Sequence, residues 1–509
     1  MSKRGLAINL SSNIISFFVA TGISFFLSPY IVRNVGAEAY GFVSLANNFV
    51  TYIALATIAL NSMAGRFITI NFHQNDLEGA NKYFSSVIIS NIFMAGILLI
   101  PSILLVLFLN QIITVPPNLL SDVQILFAFI ILNFIISFIT SIFNVCYFVR
   151  NKLYVSSFIN IQATVLKGLL LITLFSVFPT KIYYIGLVAC IITLYSFIWN
   201  IYYTRKLLPE IKVARNNFDI KAVIKLLSSG IWNVVTKLGQ LLLEGLDLLI
   251  CNLYISPAVM GTLAIAKIVP NMIVFFIATL ASVFSPNITI SYAKKDFDEI
   301  KNILKQSIKI LGAFSNVPLL ILFVFGDVFY KLWMPTQNPT QLQILSILTI
   351  LVYVVSGSIC TVYDGFTIAN KLKLQSLVIV MCGIINVVVV LVLLKKTTLG
   401  VYAIAGVSSV IAIVRDLAFS LPMATRHLKL KWYTFYPNLL VNITTFVIMV
   451  VVVYPVRLFF TIDTWPELVL FSLISSMICI SINFIFVLSK GERTYLFNML
   501  LVLFKGKML

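Results

Sequence analysis

Among the polar or ionisable side chains inside long apolar runs of this sequence, ten are placed to do chemistry that a surface residue cannot: Asn47, Lys167, Asn233, Lys237, Gln240, Glu244, Asp247, Lys267, Asp364 and Asn386. The densest group is Asn233, Lys237, Gln240, Glu244, Asp247 and Cys251, which recur at intervals of 4, 3, 4, 3 and 4 residues and so share one face of a helix. An ionisable group near the centre of a bilayer costs about 2.5–3.5 kcal/mol on insertion scales. Three on one helix are tolerable only where that face meets water, partners or ligand. Lys237 suits an anionic headgroup, and Glu244 and Asp247 suit a coupling cation or a proton. The alternative is a structural ion pair, with Lys267 as the available partner. Lys237 and Glu244 are seven residues apart, about 10 Å along a helix axis, so they do not simply neutralise each other.

The other intramembrane charges are more scattered. Lys267 is followed one turn later by Asn271, and Lys167 is preceded at helical spacing by Asn160 and Thr164. Asp364 and Asn386 are further candidates for a cation site, Asp364 close to a helix end. Arg415 and Asp416 are adjacent, hence about 100° apart around a helix, and are expected to pair with different neighbours in a structural role. The sequence shows no phosphate-binding loop, nucleophile triad or metal-ligand cluster. His73 and His427 fall in loops and read as solvated. No enzymatic chemistry is expected, and no cofactor beyond a coupling Na⁺ or H⁺.

The elements that must position these groups follow from composition. Of 509 residues 60% are hydrophobic and 10% charged, against roughly 45–50% and 25% in soluble domains. Gly is only 22 and the six Cys are scattered, which excludes collagen-like chains and disulfide scaffolds. About 20 apolar residues cross a bilayer. Fourteen stretches qualify, here called spans 1 to 14: 9–30, 42–60, 85–109, 123–148, 156–178, 184–203, 229–252, 258–282, 308–329, 342–368, 375–394, 400–421, 438–456 and 466–488. Span 1 is too long, and its flanks too polar, for a cleaved signal peptide. With both termini inside, the cytoplasmic segments, counting Lys309 at the inner edge of span 9, hold 26 of the 36 Lys and Arg, the outer segments six and the spans four others. That bias sets the orientation. The net +19 therefore reflects topology and contact with anionic lipid rather than nucleic acid. Residues 492–507 place Leu496, Met499, Leu500 and Leu503 on one stripe ahead of Lys505 and Lys507, the pattern of a short interfacial helix.

The chain also repeats itself. At an offset of 220, Asn13, Gly41, Ala46 and Ser62 match Asn233, Gly261, Ala266 and Ser282, and Ile68, Thr69, Ile70 and Asp76 match Ile288, Thr289, Ile290 and Asp296. At an offset of 219, Gln124, Ile125 and Leu126 match Gln343, Ile344 and Leu345. Six spans per copy is an even number, so both copies share one orientation, as in parallel transporter repeats with a site at their interface. The expected architecture is all-α and polytopic: an N-lobe over 1–215, a C-lobe over 216–433, a central cavity, and spans 13 and 14 with the interfacial helix over 434–509.

SPYIVRNVGAEAYGFVSLAN, Ser28 to Asn47, and MAGRFITINFHQNDLEGANKYF, Met63 to Phe84, resemble the first motifs of polysaccharide-exporter flippases. With the 6 + 6 + 2 arrangement, the chain is identified as a member of the multidrug/oligosaccharidyl-lipid/polysaccharide exporter superfamily, in its lipid-linked oligosaccharide branch. The resemblance implies a V-shaped pair of bundles, alternating access, and a polyprenyl-diphosphate-linked glycan carried from the inner to the outer leaflet of the cell membrane. It implies a cavity lined by cations, whereas the multidrug branch relies on buried carboxylates. On that reading Lys167, Lys237 and Lys267, with Asn47, Asn233 and Gln240, hold substrate, and Glu244, Asp247, Asp364 and Asn386 couple an ion. Here only Lys267 keeps the cation that the branch often places on both span 2 and span 8. The alternative is a cation-coupled multidrug exporter. The expected partners are the lipid-linked glycan, membrane lipids and a glycan polymerase or ligase, but no nucleic acid, with the chain acting as a monomer.

Overall fold

The computed structural model describes residues 3–211, 213–369, 371–487 and 493. The expected interfacial helix over 492–507 lies outside the described residues. All regular elements among the described residues are helices. Twelve are long and apolar enough to cross a membrane, or thirteen with the bent pair Pro339–Ile350 and Tyr353–Ile368 taken as one span. This is a multi-pass membrane protein. The remaining expected span, span 7, is absent from that set; it is helical over Ile220–Gln240 and Asp247–Tyr254 but carries Lys221, Lys225, Lys237, Glu244 and Asp247.

The duplication is written into the turns. Span 2 is the helix Ala37–His73 and span 3 begins at Leu77; 220 residues later the second copy starts at Pro257, pauses after Ala293 and resumes at Phe297. In each copy the turn passes through a left-handed residue, Asn75 (φ 62°) or Lys295 (φ 59°). An aspartate then caps the next helix, Asp76 accepting from Gly79 N at 2.8 Å and Asp296 from Glu299 N at 2.9 Å. In spans 4 and 10 the helix tightens into 3₁₀ turns over Ser141–Asn144 and Cys360–Tyr363, again 219 residues apart. Span 5, Leu153–Val177, and span 11, Leu372–Lys396, have 25 residues each at the same offset.

Packing divides the chain into two compact units, Met1–Ile265 with Ile379–Ile384, and Ala266–Val378 with Ile385–Leu509. Packing therefore places span 7, the first helix of the second copy, in the first unit, and its boundary passes through span 8 rather than through the basic linker near residue 215. In the first unit one buried cluster joins spans 2 to 5 and the start of span 7 through Leu60, Phe84, Tyr147, Val155 and Leu226. In the second unit, Ile300, Ile308, Ile359, Phe366 and Leu421 form the corresponding core.

Spans 13 and 14, Tyr436–Phe459 and Trp465–Phe486, attach to span 9, Phe297–Trp333, through Leu320, Phe325, Met449 and Cys479. Lipid tails are as apolar as leucine, so close approach and polar bonds must hold such helices together. Asn442 of span 13 donates to the Ile308 carbonyl at 2.9 Å, and Asn316 donates to the Asn442 carbonyl at 3.2 Å. Gly312 makes this fit possible, since a Cβ there would fall on the Asn442 amide. At the far end Arg457 bonds Asp327 at 2.9 Å. Lys331 lies 2.7 Å from Asp463 and, by its hydrogen bond first and its charge second, holds that carboxyl below the usual range. Gly312→Ala is expected to destabilise the protein by roughly 1–3 kcal/mol through overpacking. Gly96→Ala, where a Cβ meets nothing within 4 Å, is the control. Thermal unfolding of the two purified variants in detergent compares them, and equal midpoints would mean that Asn442 does not lock span 13 to span 9.

Candidate functional site: the broken, charged seventh span

Span 7 does not present one continuous polar stripe. Its helix widens into a π-turn over Leu241–Gly245. A π-turn bonds i to i+5 rather than i+4, so the extra residue rotates everything beyond it by about 100°. Gln240 and Glu244 remain exposed, but Asp247 is 3% exposed and Cys251 is fully buried. The single face expected from the 4, 3, 4, 3, 4 spacing is thus split. Lys237, Gln240 and Glu244 lie on an accessible stretch, and Asp247 is turned into protein.

Span 2 makes this break affordable. A bulge tilts carbonyls off the helix axis, and hydrocarbon offers no water to receive them. The Gly245 carbonyl accepts from Tyr52 Oη at 2.7 Å and from Asn48 Nδ2 at 3.1 Å. Asp247 lies within electrostatic reach of the same tyrosine. Below the break, Asn233 Nδ2 donates to Ser62 Oγ at 3.2 Å, and Gly230 sits directly on the Ala59 backbone, where any Cβ would collide. Above it, Asn252 forms a two-way bond with the Thr114 backbone, accepting from its N–H at 2.9 Å and donating to its carbonyl at 3.0 Å. Span 7 is fixed to the first unit along its whole length.

The remaining candidates separate. Asn47, on span 2, is exposed and donates back to the Val43 carbonyl at 2.8 Å. Lys167 is half-buried on span 5, which packs on spans 1 and 6. Neither Lys167 nor Lys237 makes a side-chain hydrogen bond or ion pair with a described residue. Lys267, Asp364 and Asn386 belong to the second unit. Span 8 is itself broken at Lys267, between helices Pro257–Ala266 and Ile268–Ser282. The Ala266 carbonyl at this break is held by Ser346 Oγ at 2.7 Å, with Tyr330 Oη 2.6 Å from the same hydroxyl. Asp364 accepts a hydrogen bond from Ser285, and Asn386 is 2% exposed.

Two expectations are corrected. Arg415 and Asp416, expected to pair with different neighbours, pair with each other: Arg415 donates Nε and Nη2 to Asp416 Oδ1 at 3.0 and 2.9 Å. A second π-turn, Asp416–Ser420, begins at the pair, and the long guanidinium curls back to the carboxylate, which is fully buried. His427 is not a solvated loop residue; it is half-buried against the Phe366 ring, 5.6 Å between centroids. The sequence reading also missed Asn48 and Tyr52, although an amide and a hydroxyl beside Asn47 in an apolar span were a visible signal. It missed, too, that the 219-residue offset pairs Lys167 with Asn386, just as 220 pairs Asn47 with Lys267.

The fold is that of membrane transporters of the MOP superfamily. The structure of "Lipid II flippase MurJ, inward closed conformation" superposes with a TM-score of 0.64 over 94% of this chain and 98% of that one, at 14% identity. An inward-facing multidrug resistance MATE family transporter of the MOP superfamily gives 0.62 over 83% and 98%, also at 14% identity. These are by name a flippase and a transporter, not enzymes. The profile of the family described as "Polysaccharide biosynthesis protein" matches residues 6–291, and the chain belongs to that family. Over 486 residues, 96% of each chain, it is 27% identical to "Uncharacterized membrane protein EpsK" of Bacillus subtilis (strain 168).

Removing both donors to the Gly245 carbonyl, as Tyr52→Phe with Asn48→Leu, is expected to cost about 1–3 kcal/mol, with Tyr52→Phe alone losing less because Asn48 remains. Thermal midpoints of the single and double variants test this. A double variant as stable as the parent would mean that the π-turn stands without span 2.

Proposed function

We propose that the chain is a flippase that moves a polyprenyl-diphosphate-linked oligosaccharide, a repeat unit of a surface polysaccharide or a teichoic-acid-type polymer, from the inner to the outer leaflet of the cell membrane by alternating access, with both termini cytoplasmic. The observation that carries this reading is the pair of intramembrane ammonium groups, Lys167 and Lys237, that no described side chain neutralises. A membrane protein retains such a cation at a cost of about 2.5–3.5 kcal/mol, and a diphosphate headgroup is the ligand chemistry that offsets it. In the second unit Lys267 is a further intramembrane lysine, and in the first Gln240, Asn47 and Asn233 offer amides to glycan hydroxyls. The family's description and the MurJ-like fold support the same reading. A glycan polymerase or ligase consuming the product would give the cycle its direction, with the transporter itself a monomer.

A second reading, a cation-coupled multidrug exporter, is favoured by the acids of span 7, where Asp247 is buried within reach of Tyr52. The two readings meet if Glu244 and Asp247 in the first unit, or Asp364 and Asn386 in the second, bind the Na⁺ or H⁺ that drives lipid transfer. Lys237→Ala and Lys267→Ala are expected to abolish surface glycan while leaving folded protein at normal abundance, and Lys237→Arg to retain part of it. Normal glycan display in both alanine variants would sink the lysine assignment. Glu244→Gln or Asp247→Asn is expected to remove dependence on a Na⁺ or pH gradient in proteoliposomes; unchanged dependence makes these acids structural.

A further inference from the structure

The inner end of span 6, helix Tyr184–Leu207, carries a feature that the transport reading does not use. Ile198, Ile201, Tyr202, Arg205 and Lys206 line a groove of about 410 Å³. Their spacing of i, i+3, i+4, i+7 and i+8 puts them on one helix face, apolar at one end and doubly cationic at the other. Tyr202 divides the two and is held in place by aromatic neighbours, edge-on to Trp199 at 5.8 Å and to Tyr203 at 5.2 Å. Trp199 in turn stacks on Tyr203 at 5.9 Å. Lys206 Nζ lies 5.6 Å from the Tyr202 ring centroid, which draws it over the groove.

Charge compensation distinguishes this site. The nearest acid along the sequence, Glu210, is taken by Arg150, whose Nη2 donates to it at 2.7 Å. Arg205 and Lys206 have no acidic partner among the described residues, and both are exposed. Ile198 is 67% exposed, on a helix whose apolar body is long enough to cross the membrane. A ligand for this face must bring an anionic head to the two cations, set its polar boundary at Tyr202 and lay a hydrocarbon chain on Ile198 and Ile201. Tyrosine at that level and basic groups just beyond it are the features that an anionic leaflet recognises.

We propose that this face is a binding site for an anionic phospholipid of the leaflet adjoining the basic loops, its phosphate between Arg205 and Lys206 and its acyl chain along Ile198 and Ile201. The lipid is a resident one, distinct from cargo, and the site is independent of what the protein transports. Each surface cation contributes about 1 kcal/mol to attraction by an anionic leaflet, so losing both weakens retention on the order of thirtyfold.

The test is native mass spectrometry of the full-length protein released from nanodiscs of phosphatidylcholine with phosphatidylglycerol. Wild type is expected to retain phosphatidylglycerol in preference to phosphatidylcholine. Arg205→Ala with Lys206→Ala is expected to lose that preference on the order of thirtyfold at an unchanged melting temperature, since both side chains are exposed. Arg215→Ala with Lys221→Ala removes the same charge from exposed positions of the same unit and is expected to retain the lipid. Equal loss in both double variants would mean that the effect is general surface charge and overturn the site. So would a wild type without preference, or one that keeps an added polyprenyl diphosphate on these residues but no phosphatidylglycerol.

Discussion

The structure depends on one constraint: hydrocarbon offers no water to a backbone group or a charge, so every departure from a regular helix must bring its own partner. Span 7 departs at Leu241–Gly245, and Tyr52 and Asn48 of span 2 meet the exposed carbonyl. Span 8 departs at Lys267, and Ser346 meets the Ala266 carbonyl. Where the chain leaves span 7, Asn252 takes both backbone groups of Thr114. The donors to the Gly245 and Ala266 carbonyls sit on neighbouring helices, so each of those breaks is also a point of attachment. The bonds that permit the distortion are the bonds that hold the distorted helix in place. Span 7 can therefore carry charges that would expel an isolated helix from the bilayer.

The duplication explains why the breaks occur where they do and why they are not symmetrical. Both copies keep the turn between spans 2 and 3, or 8 and 9, with its left-handed residue and its aspartate cap, and both tighten the fourth helix into a 3₁₀ turn. Yet helix Ala37–His73 runs unbroken through Asn47, whereas its counterpart breaks at Lys267. Likewise Lys3–Val35 is continuous where span 7 has its π-turn. At two equivalent positions one copy has an amide and the other an ammonium: Asn47 with Lys267, and Asn386 with Lys167. Each copy thus holds one cation and one neutral hydrogen-bonding group, which spreads the charge over two places instead of doubling it at one.

Much of the fold was legible in the sequence because membrane insertion is governed by quantities local to the chain. Run length, loop charge and repeat offset all survive without knowledge of contacts, and they lead to the polytopic class, the two copies and the superfamily. The turn at Asn75–Asp76 and its echo at Lys295–Asp296 could be aligned before their geometry was known. The identity of the charged helix was legible too, since Lys237, Glu244 and Asp247 have no disguise among apolar residues.

Which way those charges face was decided elsewhere. A helical wheel assumes an unbroken helix, and one additional residue in a π-turn moved Asp247 and Cys251 into protein while Gln240 and Glu244 stayed outside. The wheel likewise does not show that Arg415 bonds its own neighbour Asp416. Nor could loop charges foretell that span 7 would pack with the first copy rather than its own, because that choice rests on Gly230 against Ala59 and on Tyr52 against Gly245. The sequence by itself determined the class, the repeat and the residue types of the site, since these follow from hydropathy and spacing along the chain. Only the tertiary structure decided which of them are accessible, since that turns on where a neighbouring helix supplies a hydrogen bond for a distorted one.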